Sequence, residues 1–164
     1  MIALCQVVFL VRIFYDLEVF LSWRPKKNQL TIIIDRELTM EKKILVVDDE
    51  DFHRELMQKL LTKLGYEVAV AESAEEAFSL LEKEKFPVII TDLIMLEMDG
   101  VEFCQMIRET DTITVVIALS GYTELYDIEK LKEAGFDNHL TKPFKIETIN
   151  QAIKEGFEEF QRRA

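Results

Sequence analysis

The chain has 164 residues with 31 Asp+Glu against 20 Lys+Arg, a formal net charge of −11. From Met40 onward 15 basic side chains face 27 acidic ones, a balance that repels nucleic acid phosphates and offers no basic stripe, so direct DNA binding is disfavoured. Two cysteines, Cys5 and Cys104, are too few for a disulfide framework and fit a reducing cytoplasm.

Residues 1–39 carry an apolar stretch from Ile2 to Trp23, followed by Arg24-Pro-Lys-Lys27. Arg12, Asp16 and Glu18 interrupt it, and charges near a helix centre cost roughly 2.5–3.5 kcal/mol each on the insertion scale, so stable membrane insertion is not expected. No basic residue precedes the apolar part and no small-residue cleavage site follows it, against a signal peptide. The preferred reading is that translation normally starts at Met40 and that residues 1–39 are a start-site artefact. The alternative is a real N-terminal extension, disordered or weakly helical, amphipathic or weakly membrane-attached.

Beyond Met40 the sequence alternates short Val/Ile-rich runs with segments of helical period. The runs are Ile44–Val47, Tyr66–Val70, Val88–Thr91, Ile113–Leu119 and Asn138–Thr141, and runs apolar at successive positions suit strands buried on both faces of a parallel sheet. Between the first two, Asp51–Leu64 places Leu56, Leu60 and Leu64 on one stripe and stops at Gly65. Ser73 followed by Glu76 is a capping box, with Ala77, Leu80 and Leu81 as the apolar face up to Pro87. A third helix is predicted to start near Asp99-Gly100 and to turn Val101, Cys104 and Ile107 or Met106 inward. The fourth is predicted from about Thr123 to Ala134, ending at Gly135. The fifth runs from about Lys145 to Phe160, with Ile146, Ile149, Ile153, Phe157 and Phe160 at helical spacing. Five βα units with right-handed crossovers make one three-layer α/β domain over residues 40–164, enough chain for a single core.

In a parallel sheet of this kind, loops at the carboxyl ends of the strands form the ligand crevice. Asp48-Asp49, Asp92, Ser120 and Lys142 all fall at such ends, on four different strands. Three carboxylates, a hydroxyl and an ammonium are the parts needed to hold a divalent cation and to move a phosphoryl group onto an aspartate.

Residues 41–163 resemble the receiver domain of two-component response regulators. The resemblance lies in the strings Ile44-Leu-Val-Val-Asp-Asp-Glu50, Thr91-Asp-Leu-Ile-Met-Leu-Glu-Met-Asp-Gly100 and Thr141-Lys-Pro-Phe144, in that order, with steps of 43, 28 and 22 residues from Asp49 through Asp92 and Ser120 to Lys142. It implies a CheY-like, flavodoxin-like (βα)5 fold with strand order 2-1-3-4-5. It implies that Asp92 is the phosphoacceptor, attacking the phosphohistidine of a sensor histidine kinase or a histidine phosphotransfer protein. Mg²⁺ would be held by Asp49, Asp92 and the backbone carbonyl of Ile94, with Asp48 acting mostly through a bound water. Lys142 would pair with Asp92 and then with its phosphoryl oxygens, placed by a cis Lys142-Pro143 bond. Ser120 would be the switch hydroxyl and His139 its partner in the switch.

Two positions depart from the commonest pattern, and the second also narrows it. Leu96 stands where the family most often has proline, and His139 where it has Tyr or Phe. Histidine at that position, with the local string Tyr122–Leu125, also resembles single-domain receivers of phosphorelays. Ile94 and Tyr122 flank the path of a hydrolytic water with groups that cannot orient it, so slow dephosphorylation is expected. By analogy, output runs through the fourth helix, fifth strand and fifth helix, with Tyr126, Lys130 and Lys145 exposed there. The expected protein is a stand-alone Mg²⁺-dependent receiver that catalyses only its own phosphorylation and slow dephosphorylation. A receiver-like interaction module that is never phosphorylated, or an aspartyl-phosphate hydrolase, is the alternative; the second lacks the paired aspartates and cap domain such hydrolases use.

Overall fold

The computed structural model describes residues 42–121 and 127–164; the expectations for residues 1–39, Tyr122 and Tyr126 lie outside them. Among the described residues ten elements alternate strictly: β1 Lys43–Val47, α1 Asp51–Lys63, β2 Glu67–Ala71, α2 Ala74–Leu81, β3 Val88–Asp92, α3 Gly100–Thr110, β4 Val115–Ser120, α4 Ile128–Glu133, β5 Asn138–Thr141 and α5 Ile146–Arg163. The strands form one parallel sheet in the order β2-β1-β3-β4-β5, as expected.

Because successive side chains in a strand point to opposite faces, each central strand feeds two cores. Ile44 and Val46 of β1, Val88 and Ile90 of β3, and Val115, Ile117 and Leu119 of β4 pack with Met57 and Leu61 of α1 and Ile149, Ala152 and Ile153 of α5. The intervening Leu45, Val47, Ile89, Val116 and Ala118 face Ala74 and Ala77 of α2, Phe103, Cys104 and Ile107 of α3, and Leu131 of α4. Helices α1 and α5 therefore cover one face and α2 to α4 the other.

Two helix faces differ from their sequence reading. In α1 the buried residues are Met57 and Leu61, with Leu60 and Leu64 packed beside them, while Leu56 is exposed. A strict four-residue spacing drifts about 40° per step around the helix, so the i, i+3, i+4, i+7 set starting at Met57 holds the sheet and Leu56 rotates off it. In α5, Ile146 is the first residue of the helix and is exposed, while Ile149 and Ile153 are fully buried. In α3 the inward residues are Phe103, Cys104 and Ile107, with Met106 exposed.

Element ends follow local hydrogen bonding. Ser73 Oγ accepts from Glu76 N at 3.2 Å, but Glu76 Oε2 accepts from Glu72 N at 2.8 Å instead of closing back on Ser73. Helix α4 starts after Asp127, whose carboxylate accepts from Glu129 N; an extended capping residue there rules out the helix through Asp127 that the sequence suggested. Strand β4 starts at Val115, two residues later than expected, because the Asp111 carboxylate takes the N–H groups of Ile113 and Thr114 into a turn. Helices α1 and α4 end on Gly65 and Gly135, at φ +92° and +99°, the left-handed region that glycine enters without a Cβ clash. Strands β3 and β4 each run one residue further than expected, so Asp92 and Ser120 are their last residues.

Candidate functional site

The carboxyl ends of β1, β3, β4 and β5 meet over the middle of the sheet. Asp48 follows β1 and is 1% exposed; Asp92 ends β3 and Ser120 ends β4, both buried. Ser120 is registered beside Thr141 in β5, and its carbonyl accepts the Lys142 N–H at 2.7 Å. That bond and the cis Lys142-Pro143 peptide fix where the Lys142 side chain starts. Its Nζ lies 3.0 Å from Asp92 Oδ2 and 3.2 Å from Asp48 Oδ2.

Each carboxylate is further fixed by main chain. Asp92 Oδ1 accepts Leu93 N at 2.9 Å, and Asp48 Oδ1 accepts Glu50 N at 3.0 Å. Arg54, one turn into α1, donates from Nη1 to the Asp48 carbonyl at 2.7 Å. Gly100 brings the start of α3 against the end of β3: a Cβ there would lie 2.2 Å from the Asp92 carbonyl oxygen, so only glycine permits that approach.

Burial pushes Asp92 above the usual carboxylate range, and the Asp48 charge adds to this against the pull of Lys142. A more basic carboxylate is a better nucleophile. Burial alone would lower Lys142, but the hydrogen bond and charge of Asp92 and the charge of Asp48 outweigh it and hold the ammonium above the ordinary lysine value. Two crowded carboxylates share one cation, so the pocket remains short of positive charge.

The remaining expected residues surround this centre. Asp49 Oδ2 accepts the backbone N–H of Leu96 at 3.1 Å and points to the β3–α3 loop, away from the cluster around Lys142. In that loop Ile94 is half exposed, Leu96 is 77% exposed and Glu97 sits at φ +65°. His139 lies half-buried on β5, registered beside Ala118. The carboxylates of Asp48 and Asp92, hard oxygen donors in a pocket short of positive charge, fit a small dication such as Mg²⁺.

His53 was not foreseen. Its Nδ1 lies 3.3 Å from Asp48 Oδ2, 3.5 Å from Lys142 Nζ and 3.7 Å from Glu50 Oε1. Donor atoms of Asp48, His53 and Asp92 all fall within 4.8 Å of one another. The signal was present in the spacing, since His53 follows Asp49 by four residues in a helix that starts at Asp51, one turn above the acidic pair.

The response regulator receiver domain family matches residues 44–154. The chain belongs to that family. It is 36% identical over 115 residues to the alkaline phosphatase synthesis transcriptional regulatory protein PhoP of Bacillus subtilis, covering 70% of this chain and 48% of that one. It is 34% identical over 115 residues to sporulation initiation phosphotransferase F of the same organism, covering 70% of this chain and 93% of that one. The chain thus spans about half the length of PhoP and of the similar probable transcriptional regulator ycf27 of Guillardia theta. Among solved structures, the CheY-like receiver domain protein from Methanospirillum hungatei superposes with a TM-score of 0.70 at 28% identity, covering 75% of this chain and 98% of that one. Chemotaxis response regulator CheY4 of Vibrio cholerae does so at 0.64 and 32% identity, covering 70% and 97%. Receiver domains are signalling modules of two-component systems that interact with histidine kinases or phosphotransfer proteins, and this chain carries that module with its acidic pocket. No helix among the described residues is long and apolar enough to cross a membrane.

Proposed function

We propose that this protein is a stand-alone receiver, cytoplasmic, with its working domain at residues 40–164, that accepts a phosphoryl group on Asp92 and thereby changes its affinity for a protein partner. The observation that carries the reading is the Lys142 ammonium 3.0 Å from Asp92 Oδ2 and 3.2 Å from Asp48 Oδ2, at the ends of strands belonging to a family whose signalling runs through such a pocket. In the reaction an Asp92 carboxylate oxygen attacks the phosphorus of a phosphohistidine. The P–N bond breaks, its electron pair leaves with the imidazole, and an acyl phosphate forms. Lys142 meets the phosphoryl charge as it arrives.

Asp48, Asp49 and Asp92, with the Ile94 carbonyl, would hold Mg²⁺, which when bound neutralises the carboxylates and the incoming phosphoryl oxygens. Ser120 turns toward the phosphoryl group and His139 follows it inward, which alters the surface of α4, β5 and α5. Lys130 and Lys145 are exposed there, and a groove of about 450 Å³ lies between β5 and α5, lined by Asn138, Leu140, Thr148, Gln151 and Glu155. On the donor side, Phe52 and Leu56 of α1 are exposed at 72% and 52%, and Ile94 and Leu96 are exposed in the loop that follows Asp92. This apolar surface suits the helix of a sensor histidine kinase or a histidine phosphotransfer protein. The likeness to sporulation initiation phosphotransferase F over nearly that protein's whole length favours a place within a phosphorelay.

Intact-mass analysis of the full chain after incubation with acetyl phosphate tests the reading. A base-labile gain of one phosphoryl group is expected with Mg²⁺, and none without it or in Asp92→Asn. No gain in folded wild-type protein with Mg²⁺ would overturn it.

A further inference from the structure

The triad of Asp48, His53 and Asp92 differs in kind from an all-oxygen magnesium pocket, because it includes an imidazole. Its three donor atoms lie within 4.8 Å of one another and converge on a cation already in place, the Lys142 ammonium, at 3.2, 3.5 and 3.0 Å respectively. The His53 Nδ1 to Asp48 Oδ2 separation is 3.3 Å. Ligands at about 2.0–2.1 Å on a tetrahedral zinc stand about 3.3 Å from each other, so two of the three are already spaced as a ligand pair. The Asp92 carboxylate offers an oxygen within 4.8 Å of both, and His53 is half-buried, so the cluster reaches the protein surface.

Mg²⁺ prefers oxygen and gains little from a nitrogen, whereas imidazole suits Zn²⁺ and its first-row neighbours, whose affinity for mixed nitrogen and oxygen sites is far higher. We propose that Asp48, His53 and Asp92 form a transition-metal site whose occupant takes the position of the Lys142 ammonium, so that zinc binding and phosphoryl acceptance at Asp92 exclude one another. Zinc in the lysine's place would tie up Asp92 Oδ2, the oxygen that faces Lys142, and would expel the ammonium that would receive the phosphoryl charge. The inhibitory consequence rests on the phosphoacceptor reading of Asp92; the metal site does not.

The test uses the full chain, stripped of metal, in wild-type and His53→Leu forms, with His53→Gln as a second variant should leucine prevent folding. Zn²⁺ affinity is read by competition with a chromophoric chelator and Mg²⁺ affinity by calorimetry, and the two are compared as a ratio. Losing a group that merely supports a metal ligand costs about 10- to 100-fold in affinity, so losing a ligand should lower the Zn²⁺/Mg²⁺ ratio by about tenfold or more. Zn²⁺ should also slow acetyl phosphate uptake at fixed Mg²⁺ in wild type, and much less in the variant, each measured against its own zinc-free rate. An unchanged ratio in a folded variant would overturn the proposal. If zinc binds through His53 but Asp92 takes no phosphate in zinc-free, Mg²⁺-loaded protein, the site stands and the phosphoacceptor reading fails.

Discussion

Leu96 occupies the position where receivers most often carry proline, and the difference has a physical consequence in the acidic pair. Proline has no N–H, whereas the Leu96 N–H donates to Asp49 Oδ2 at 3.1 Å, holding toward the loop a carboxylate assigned here to Mg²⁺. Leu96→Pro removes that donor and stiffens the loop in a form the family commonly accepts. A hydrogen bond to a charged group contributes about 1.5–3 kcal/mol, but this one lies in an exposed loop where solvent competes, so about 1 kcal/mol is a fair net figure. One kcal/mol corresponds to about fivefold in an equilibrium constant. Isothermal titration of Mg²⁺ into Leu96→Pro should therefore show affinity tighter than wild type by roughly that factor. Equal or weaker affinity in a folded variant would refute the view that the Leu96 tether competes with the cation.

Gly100→Ala should destabilise the fold by about 1–3 kcal/mol, the usual cost of overpacking, because the new Cβ meets the Asp92 carbonyl, a backbone atom with little room to give; urea unfolding measures it, and an unchanged midpoint would contradict the packing described. Ile94→Asn should shorten the lifetime of the phosphorylated form, since an amide beside the pocket can orient the water that half-exposed Ile94 cannot; phosphate loss followed by intact mass checks this, and an unchanged lifetime removes that part of the account. Burial alone would raise Asp111, but hydrogen bonds from the Thr114 hydroxyl and from the N–H groups of Thr114 and Ile113, with the Arg108 charge, bring it below the usual carboxylate range. Its contribution to stability is therefore present above the unfolded carboxylate value and lost as pH falls through the lower folded one. Asp111→Ala should cost about 1–3 kcal/mol at neutral pH, and the difference from wild type should shrink in acid; a constant difference would contradict the assignment. Cys104 is fully buried, and burial pushes its thiol up to about 12, so a thiol reagent should leave it unmodified in native protein and label it after unfolding.

Most of the sheet was legible because its strands are short runs set between helical segments, and those of β1, β3 and β4 are apolar at almost every position, as a parallel sheet covered on both faces requires. Asp48, Asp92, Ser120 and Lys142 could be placed because each directly follows or ends such a run, and the topology brings the ends of the runs together. Helix faces were less legible. Leu56 and Met57 are equally apolar in sequence, and only the docking of α1 on the sheet decides that Met57 is buried. His53 was missed because a lone histidine on a helix carries no periodicity of its own, and its meaning comes from Asp48, at the end of the preceding strand, taken together with Lys142, 89 residues further on. Asp49 illustrates the remaining limit: a neighbour in sequence to Asp48, it turns to the Leu96 N–H, a pairing set by loop conformation.

The two ends of the sheet are held by different means, and the contrast bears on how the site can switch. At the end away from the site, the Arg108 guanidinium donates to the carbonyls of Gly135, Asp111 and Thr114 at 2.9, 3.0 and 2.8 Å and to Asp137 Oδ2 at 2.8 Å. Asp137 also accepts from Arg163 of α5 and from the Val116 N–H of β4. One network thus joins the end of α3, the start of β4, the turn before β5 and the end of α5, and the partners of such a network act together, so they are costly to separate. At the site end the Lys142 side chain bridges the ends of β1 and β3 through Asp48 and Asp92. On the proposed function, a phosphoryl group at Asp92 would re-pair that lysine, while the hydrogen-bond network at the opposite end holds the strands in register. On the same proposal, movement begun at Asp92 would start at the loop end of the sheet, where Ser120 ends β4 and His139 lies on the neighbouring β5.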